Sequence, residues 1–466
     1  HVLAYYDQLD APGQAQLLAQ IEGIDWPECA ALVESHVLNK PQFEMPGSVE
    51  PVDWYPYQPG EAHRAKYIEA RRVGDKLISE GKVATFTVAG GQGTRLGWDG
   101  PKGTFPATPI RGLTLFACFA EYLHKVQAKY GKAVPWYVMT SPINDAATRA
   151  FFESNDYFGL DSGGVMIFPQ AMMPAIDMAT HQVLLETPSS LALSPNGHGG
   201  SLKALWTSGA IADMINRGVE QISYTQVDNP TVRMIDPLFI GLHALDEAQM
   251  SSKMLPKAFA KEKLGNFCLA DDKMTVIEYS NLPDELAEQT TEDGELRFRA
   301  GSIALHCIRV DFVESINTSA EGFSLPFNRA EKKVPFYNEA RGKTEVPGEP
   351  NAVKLETFVF DALPMCDDSI IYETDRVDEF APIKNADTPG PGNGEPDATD
   401  SPASSKKLQT ERAARWLEAA GVAVPRTADG QVDAVIELKQ TTAIYPDDLQ
   451  GVELPPQIES GSEWLL

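Results

Sequence analysis

Arg95 and Lys102 are set into a run of glycines. Ala89 to Gly103 reads AGGQGTRLGWDGPKG, with Gly90, Gly91, Gly93 and Gly97 falling within eight residues. Missing side chains let backbone N–H groups approach an anion and let the chain take positive φ. Interleaved cations add the charge that a phosphate needs, so the stretch predicts a phosphate cradle. The glycines alone would equally suit a surface turn; the two cations favour the cradle. The spacing is not that of a Walker A loop, since no Gly-Lys-Ser/Thr follows the required spacer. Nor is it the dinucleotide fingerprint, because Gly97 follows Gly91-Gln-Gly93 one residue too late.

The elements around the loop must hold it. Val83 to Val88 (VATFTV) is β-branched and aromatic and predicts a buried strand opening into the loop. Arg64 to Glu80 predicts a helix leading into it. Leu115, Phe116, Phe119, Leu123 and Val126 mark a helix that stops before Gly131. Val134–Met139, Val165–Phe168 and Ile222–Val227 predict three more strands. Between them, Asn144 is placed to cap a helix through Phe152, and Leu202–Asn216 predicts another. Alternation of this kind predicts an α/β fold with a doubly wound, mostly parallel mixed sheet. In such sheets ligands sit at the carboxyl ends of strands, where the loop, Gln170 and Asp228 all fall. Short strands over about 240–365 extend the sheet and build one wall of a cleft.

The domain expectations are a helical N-terminal domain over 1–65, a catalytic domain over 66–387, a mobile loop over 388–405 rich in Pro, Gly, Ser and Asp, and a small C-terminal subdomain over 406–466. With 466 residues, 43% hydrophobic and 23% charged, the chain is ordinary globular in composition. The net charge of −27 argues against nucleic acid or an anionic membrane as partner, because both need basic surface. Positive charge must therefore be concentrated locally if the ligands are phosphates. The five cysteines are scattered, odd in number and without metal-ligand spacing, which predicts a reduced, cytoplasmic setting with neither disulfide nor zinc. No apolar run reaches membrane-spanning length, and no signal peptide is read in the first residues.

The loop resembles that of the UDP-sugar pyrophosphorylase family, Gly-Gly-x-Gly-Thr-Arg-Leu-Gly followed by Pro-Lys-Gly, and most closely the UDP-N-acetylglucosamine branch. Further segments resemble the family in the same order: Phe168–Pro174 (FPQAMMP), Pro195–Leu205 (PNGHGGSLKAL), Gln226–Asp236 (QVDNPTVRMID), Ala300–His306 (AGSIALH), Pro350–Phe360 (PNAVKLETFVF) and Asp378–Asp387 (DEFAPIKNAD). The resemblance implies a Rossmann-like nucleotidyltransferase that makes a UDP-sugar and pyrophosphate from UTP and a sugar 1-phosphate. It implies that Ala89, Gly90, Gly91, Gly93, Gln170 and Gly197 bind the nucleotide, with Gln170 reading the uracil edge. It places His198, Gly265, Glu278, Ser302 and Phe360 on the sugar, with Phe358 packing nearby. Arg95, Lys102 and Lys384 become the phosphate-facing catalytic cations, and Asp228 the residue that holds Mg²⁺ bridged to the triphosphate.

Two positions depart from the N-acetylglucosamine pattern: His198 and Ser302 stand where that branch usually carries Asn. N-acetylglucosamine 1-phosphate is the expected substrate, with glucose 1-phosphate and galactose 1-phosphate as competitors. The attacking sugar phosphate is already ionised at neutral pH, so no general base is required, which suits a chain whose histidines are scattered. The enzyme must align the attack and offset repulsion between polyanions. The alternative from another class is an inactive nucleotide-sugar sensor.

Overall fold

Val83–Val88 is a strand buried at every position, as an unbroken β-branched and aromatic run requires when both faces of a sheet are covered. In the computed structural model, which describes residues 1–320, 322–388 and 399–466, it pairs in parallel with Trp136–Thr140 on one side and Gln221–Gln226 on the other. Val165–Pro169 adds the fourth parallel strand. Beyond Gln221–Gln226 the sheet turns antiparallel through Ala300–Arg309, which also carries Met250–Pro256, and reaches Asn266–Ala270 and an edge at Val49–Pro51. The result is a mixed ten-stranded sheet with the four parallel strands adjacent.

Alternation along the strands divides the core. Trp136 and Val138 point into one apolar cluster with Phe116, Phe119 and Leu123. Tyr137 and Met139 point into the other, with Phe86, Leu202, Ile211 and Tyr224. Helices thus cover both faces, as the doubly wound expectation requires. The helix Leu115–Tyr130 begins where Thr114 Oγ1 accepts from Ala117 N–H and ends at Gly131, whose φ of 66° continues no helix. Among the described residues, no helix is long and apolar enough to cross a membrane.

Several expectations need correction. The helix predicted over Leu202–Asn216 is two helices, Gly200–Thr207 and Ala210–Arg217, broken at Gly209 with φ 81°. Asn144 precedes the helix Asp145–Ser154 but makes no side-chain cap; its amide is used elsewhere. Residues 1–65 do hold the helices Ala11–Glu22 and Trp26–Leu32, yet Val49–Pro51 joins the central sheet. Leu17, Ile24 and Cys29 also share a core with Ile176, Leu191, Val353 and Leu355, because helices this short cannot bury an apolar face alone. Of the loop predicted over 388–405, residues 389–398 lie outside the described residues. Its end is helical: Pro402–Ala419 starts on a capping box between Ser401 and Ser404, with Pro402 at the first position.

Candidate active site

Three successive carbonyls of the glycine loop are tied down from beneath. Ser141 Oγ donates to the Gly90 carbonyl at 2.9 Å, and Asn144 Nδ2 donates to those of Ala89 and Gly91 at 3.0 and 3.2 Å. The Asn144 Oδ1 in turn accepts from Ser141 N–H. Both side chains are fully buried. The N–H groups of Gly90, Gly91 and Gln92 make no hydrogen bond among the described residues, so the loop offers free donors while its acceptors are used. The rest of the loop folds on itself. Gly93 N–H donates to Gly100 O, Lys102 N–H to Gly91 O, and the turn Thr94–Leu96 closes at Gly97 with φ 69°.

Gln170 follows the strand Val165–Pro169 and lies against Gly90; a Cβ on that glycine would stand 2.7 Å from Gln170 Nε2. The side chain is 5% exposed and its Oε1 has no partner among the described residues. A buried acceptor without a donor is costly, about 1–3 kcal/mol, unless a ligand supplies one. A cavity of about 590 Å³ opens beside it, walled by Gln20, Ile24, Met172 and Leu193, so the helix Ala11–Glu22 and the turn after it help to close this side. A cavity of about 700 Å³ lies at the opposite, amino end of the parallel strands, around Lys82, Gln221 and Arg309, away from every residue of the glycine loop.

Lys102 and Asp228 meet. Lys102 Nζ is 3.4 Å from Asp228 Oδ2, and both side chains are mostly covered. The Asp228 carbonyl accepts from Ile383 N–H at 2.9 Å, which brings Lys384 to the same end of the sheet. Lys384 Nζ itself reaches Asp400 Oδ2 at 3.5 Å and lies over the Phe380 ring. Arg95 is exposed and makes no ion pair or hydrogen bond among the described residues; the fold brings its loop to the site but gives its guanidinium no partner there. The segment after Asp228 is anchored by buried charge. Asn229 bonds both Glu379 O and Ala381 N–H, and Lys253 Nζ sits 2.6 Å from Glu379 Oε1 and 2.7 Å from Asp236 Oδ2. Burial works against the Asp236 charge, yet Lys253 and Arg233 hold its carboxyl below the usual range.

The sugar-side candidates form a second group. A Cβ on Gly265 would lie 3.4 Å from Glu278 Oε1 and 3.8 Å from Ser302 Cβ, so these three residues share one corner. Ser302 N–H donates to Gly265 O at 2.8 Å. Burial raises the Glu278 carboxyl. Gly197, at φ 85°, presses on the backbone of Thr357 where no side chain fits. The His198 ring stacks on Phe358 with centroids 5.3 Å apart and meets Phe360 edge-on at 5.7 Å. Val359 N–H donates to His198 Nδ1 at 3.1 Å, which leaves the proton on Nε2. Burial pushes this imidazole down to about 4, so the ring is neutral at physiological pH. Strand pairing of Met172–Pro174 with Leu193–Pro195 joins this loop to the Gln170 side.

Among the described residues, no group of three or more His, Cys, Asp or Glu could hold a metal ion by itself. A lone Asp228 still suits Mg²⁺, which is commonly held by one or two carboxylates together with substrate phosphates. Sequence reasoning missed Ser141 and the part Asn144 plays in holding the loop, since an Asn before a helix reads as a cap.

A family model described as UTP–glucose-1-phosphate uridylyltransferase matches residues 44–388. The chain belongs to that family. It is also 34% identical over 433 residues to the UDP-N-acetylglucosamine pyrophosphorylase of Saccharomyces cerevisiae, covering 90% of this chain and 88% of the relative. A human protein called UDP-N-acetylhexosamine pyrophosphorylase-like protein 1 is 34% identical, covering 90% and 83%. Among solved structures, the uridine diphosphate N-acetylglucosamine pyrophosphorylase of Trypanosoma brucei, in complex with inhibitor, superposes with a TM-score of 0.81 at 26% identity, covering 100% of this chain and 95% of that one. This uridylyltransferase-family chain therefore has relatives matched over nearly their whole length, and the mixed α/β sheet is the fold of the UDP-sugar pyrophosphorylases.

Proposed function

We propose that this chain joins UTP to a sugar 1-phosphate, N-acetylglucosamine 1-phosphate in the first place, and releases pyrophosphate. The observation that carries the reading is the unpartnered Gln170 Oε1 against a glycine loop with free N–H groups, at the strand ends where Lys102 meets Asp228. Gln170 would read the uracil edge, and Ala89, Gly90, Gly91, Gly93 and Gly197 would line the nucleotide. A sugar phosphate oxygen attacks the α-phosphorus of UTP; that bond forms as the bond to the β-phosphate oxygen breaks, and pyrophosphate leaves. Lys102, Arg95 and Lys384 would offset the charge of the two polyanions and hold them in line. Mg²⁺, brought with the triphosphate and held by Asp228, would supply further neutralisation.

On the sugar side, Gly265, Glu278, Ser302, His198 and Phe360 would define the pocket. A second reading, glucose 1-phosphate or galactose 1-phosphate as preferred substrate, is favoured by one observation: His198 is a neutral ring whose Nε2–H is free to donate to a sugar hydroxyl. We read 66–387 as the catalytic part, with 1–65 and 406–466 packed on it as smaller units, and free cysteines as fitting a cytoplasmic protein. The test is pyrophosphate release in a coupled assay with UTP and each sugar 1-phosphate. Release with N-acetylglucosamine 1-phosphate above the other two is the expected result. Binding of UTP without release would leave a nucleotide-sugar sensor instead.

A further inference from the structure

Lys257 is 7% exposed, yet among the described residues its ammonium has no carboxylate within ion-pair distance; its Nζ donates to a neutral group, Asn266 Oδ1, at 2.7 Å. Burial draws this ammonium below the usual lysine range, with Glu262 opposing from a distance. The residue directly follows the strand Met250–Pro256, and its stem lies on Gly301, where a Cβ would stand 3.2 Å from Lys257 Cγ. The Asn266 amide is engaged at its other end too. Its Nδ2 donates to Ile277 O at 3.1 Å. Asn266 pairs with Ile277 on the strand Lys273–Ile277 and with Gly301 on Ala300–Arg309. One residue along from these three stand Gly265, Glu278 and Ser302, which share the sugar-side corner. Successive residues of a strand face opposite sides of a sheet. The lysine and the amide therefore hold the three strands from behind, while the corner lies on the other face.

We propose that Lys257 is a positioning residue for the sugar: through the Asn266 amide it holds the carbonyl of Ile277, and so fixes where Glu278, the next residue, stands against Gly265 and Ser302. The inference rests on the reading that this corner takes the sugar. An ammonium can only donate, so Asn266 must turn its oxygen to Lys257 and its NH₂ to the Ile277 carbonyl. Without the cation the amide is free to turn over, which would set an acceptor against that carbonyl. Burying an ammonium on a neutral partner is unfavourable. A methionine of similar length would fill the space without that cost, so packing alone does not account for a lysine here.

The experiment is calorimetric titration with UDP-N-acetylglucosamine and with UDP, beside melting temperature, for wild type, Lys257→Met, Asn266→Asp and Glu278→Gln. UDP lacks the sugar, so a loss confined to the UDP-sugar belongs to the corner. Lys257→Met is expected to weaken UDP-N-acetylglucosamine by about five-fold, the worth of one hydrogen bond, and to leave UDP unchanged. Asn266→Asp gives Lys257 a carboxylate but cannot donate to Ile277 O. It should show the same sugar-specific loss with a melting temperature no lower than wild type, a combination that a merely structural lysine would not produce. Equal weakening of both ligands by Lys257→Met, or of neither, overturns the proposal. Should Lys257→Met not fold, Asn266→Asp carries the test, and unchanged affinity for the UDP-sugar in that variant overturns it. If Glu278→Gln leaves that affinity unchanged, the sugar-side reading of the corner fails, and this inference with it. If Glu278→Gln weakens the UDP-sugar while Lys257→Met and Asn266→Asp do not, only the tie through Lys257 is lost.

Discussion

Lys102 Nζ and Asp228 Oδ2 stand 3.4 Å apart, although 126 residues separate them in the chain. The distance is that of a loose pair, not of a tight hydrogen bond. In the absence of substrate each neutralises the other in a mostly covered place, where an unpaired charge would be expensive. Arrival of a triphosphate with its cation would give each a new partner of opposite sign. The pair is thus a resting arrangement that keeps both charges aimed at one spot. Lys102→Ala is expected to lower kcat by about 10²–10³-fold, and Arg95→Ala to lower it by a similar factor. Near wild-type turnover in either variant, with the fold intact by circular dichroism, would remove that cation from the cradle.

Asp228→Asn tests the metal. Activity should require Mg²⁺ in wild type, and the variant should need more Mg²⁺ for half-maximal rate or lose the reaction. The triphosphate can carry Mg²⁺ itself, so a residual rate is compatible with the assignment. A Mg²⁺ titration superimposable on wild type would take Asp228 out of the site.

How much of this was legible beforehand depended on which residues had to interrupt a periodic pattern. The glycine loop stood out because Gly90, Gly91, Gly93 and Gly97 end a strand abruptly, and the parallel strands could be read because they are rich in β-branched and aromatic residues. Asn144 was open to misreading for a physical reason. A buried amide can satisfy donors and acceptors at once, and here it prefers two loop carbonyls and Ser141 N–H to the first turn of its own helix. The break at Gly209 hides inside a run that otherwise keeps helical spacing.

Gln170 should control base choice. Its unpartnered Oε1 calls for a donor, and a site built to hydrogen-bond rejects a base that leaves it unpaired. Gln170→Leu is expected to raise the KM for UTP by about 1–3 kcal/mol, roughly five- to 150-fold, and to narrow the gap between UTP and CTP. Equal use of UTP, CTP and ATP by wild type would contradict the pocket.

Lys253 is 2% exposed and lies between Asp236 and Glu379. Lys253→Met removes the cation that two buried carboxylates share and leaves them only the more distant charge of Arg233, at a cost of about 3–5 kcal/mol. The same change slackens the segment that carries Asp228. Denaturant unfolding should report the loss. A variant as stable as wild type would mean that the carboxylates find protons or water at little cost.

Three buried histidines give the fold a defined acid weakness. Burial lowers His198 to about 4, and His243 and His306 each to about 3. A group depressed in the folded state binds its proton more readily when unfolded. Its contribution to stability is therefore whole above the unfolded value near 6.5 and is lost as pH falls toward the folded one. Melting temperature should drop between about pH 6.5 and about pH 4, and His306→Gln should show a shallower drop. A profile flat over that window would mean that these rings are protonated in the folded protein.

On the proposed reading, the choice of sugar turns on His198 and Ser302. Val359 N–H occupies His198 Nδ1, so the ring can only donate from Nε2, and stacking on Phe358 fixes where that donor lies. An asparagine there would both donate and accept, as an acetamido group requires, and would take less room. Ser302, held by its N–H to Gly265 O, is shorter than asparagine and leaves space or a water beside Glu278. Each hydrogen bond gained or lost is worth about 1 kcal/mol, or about five-fold in preference. The double variant His198→Asn with Ser302→Asn should therefore raise kcat/KM for N-acetylglucosamine 1-phosphate relative to glucose 1-phosphate by about 25-fold if the two contributions add. Because His198 is uncharged above about pH 5, the gain should not change between neutral and mildly alkaline pH. An unchanged ratio in the double variant would mean that Glu278, Gly265 and the Phe358–Phe360 pair, rather than these two side chains, select the sugar.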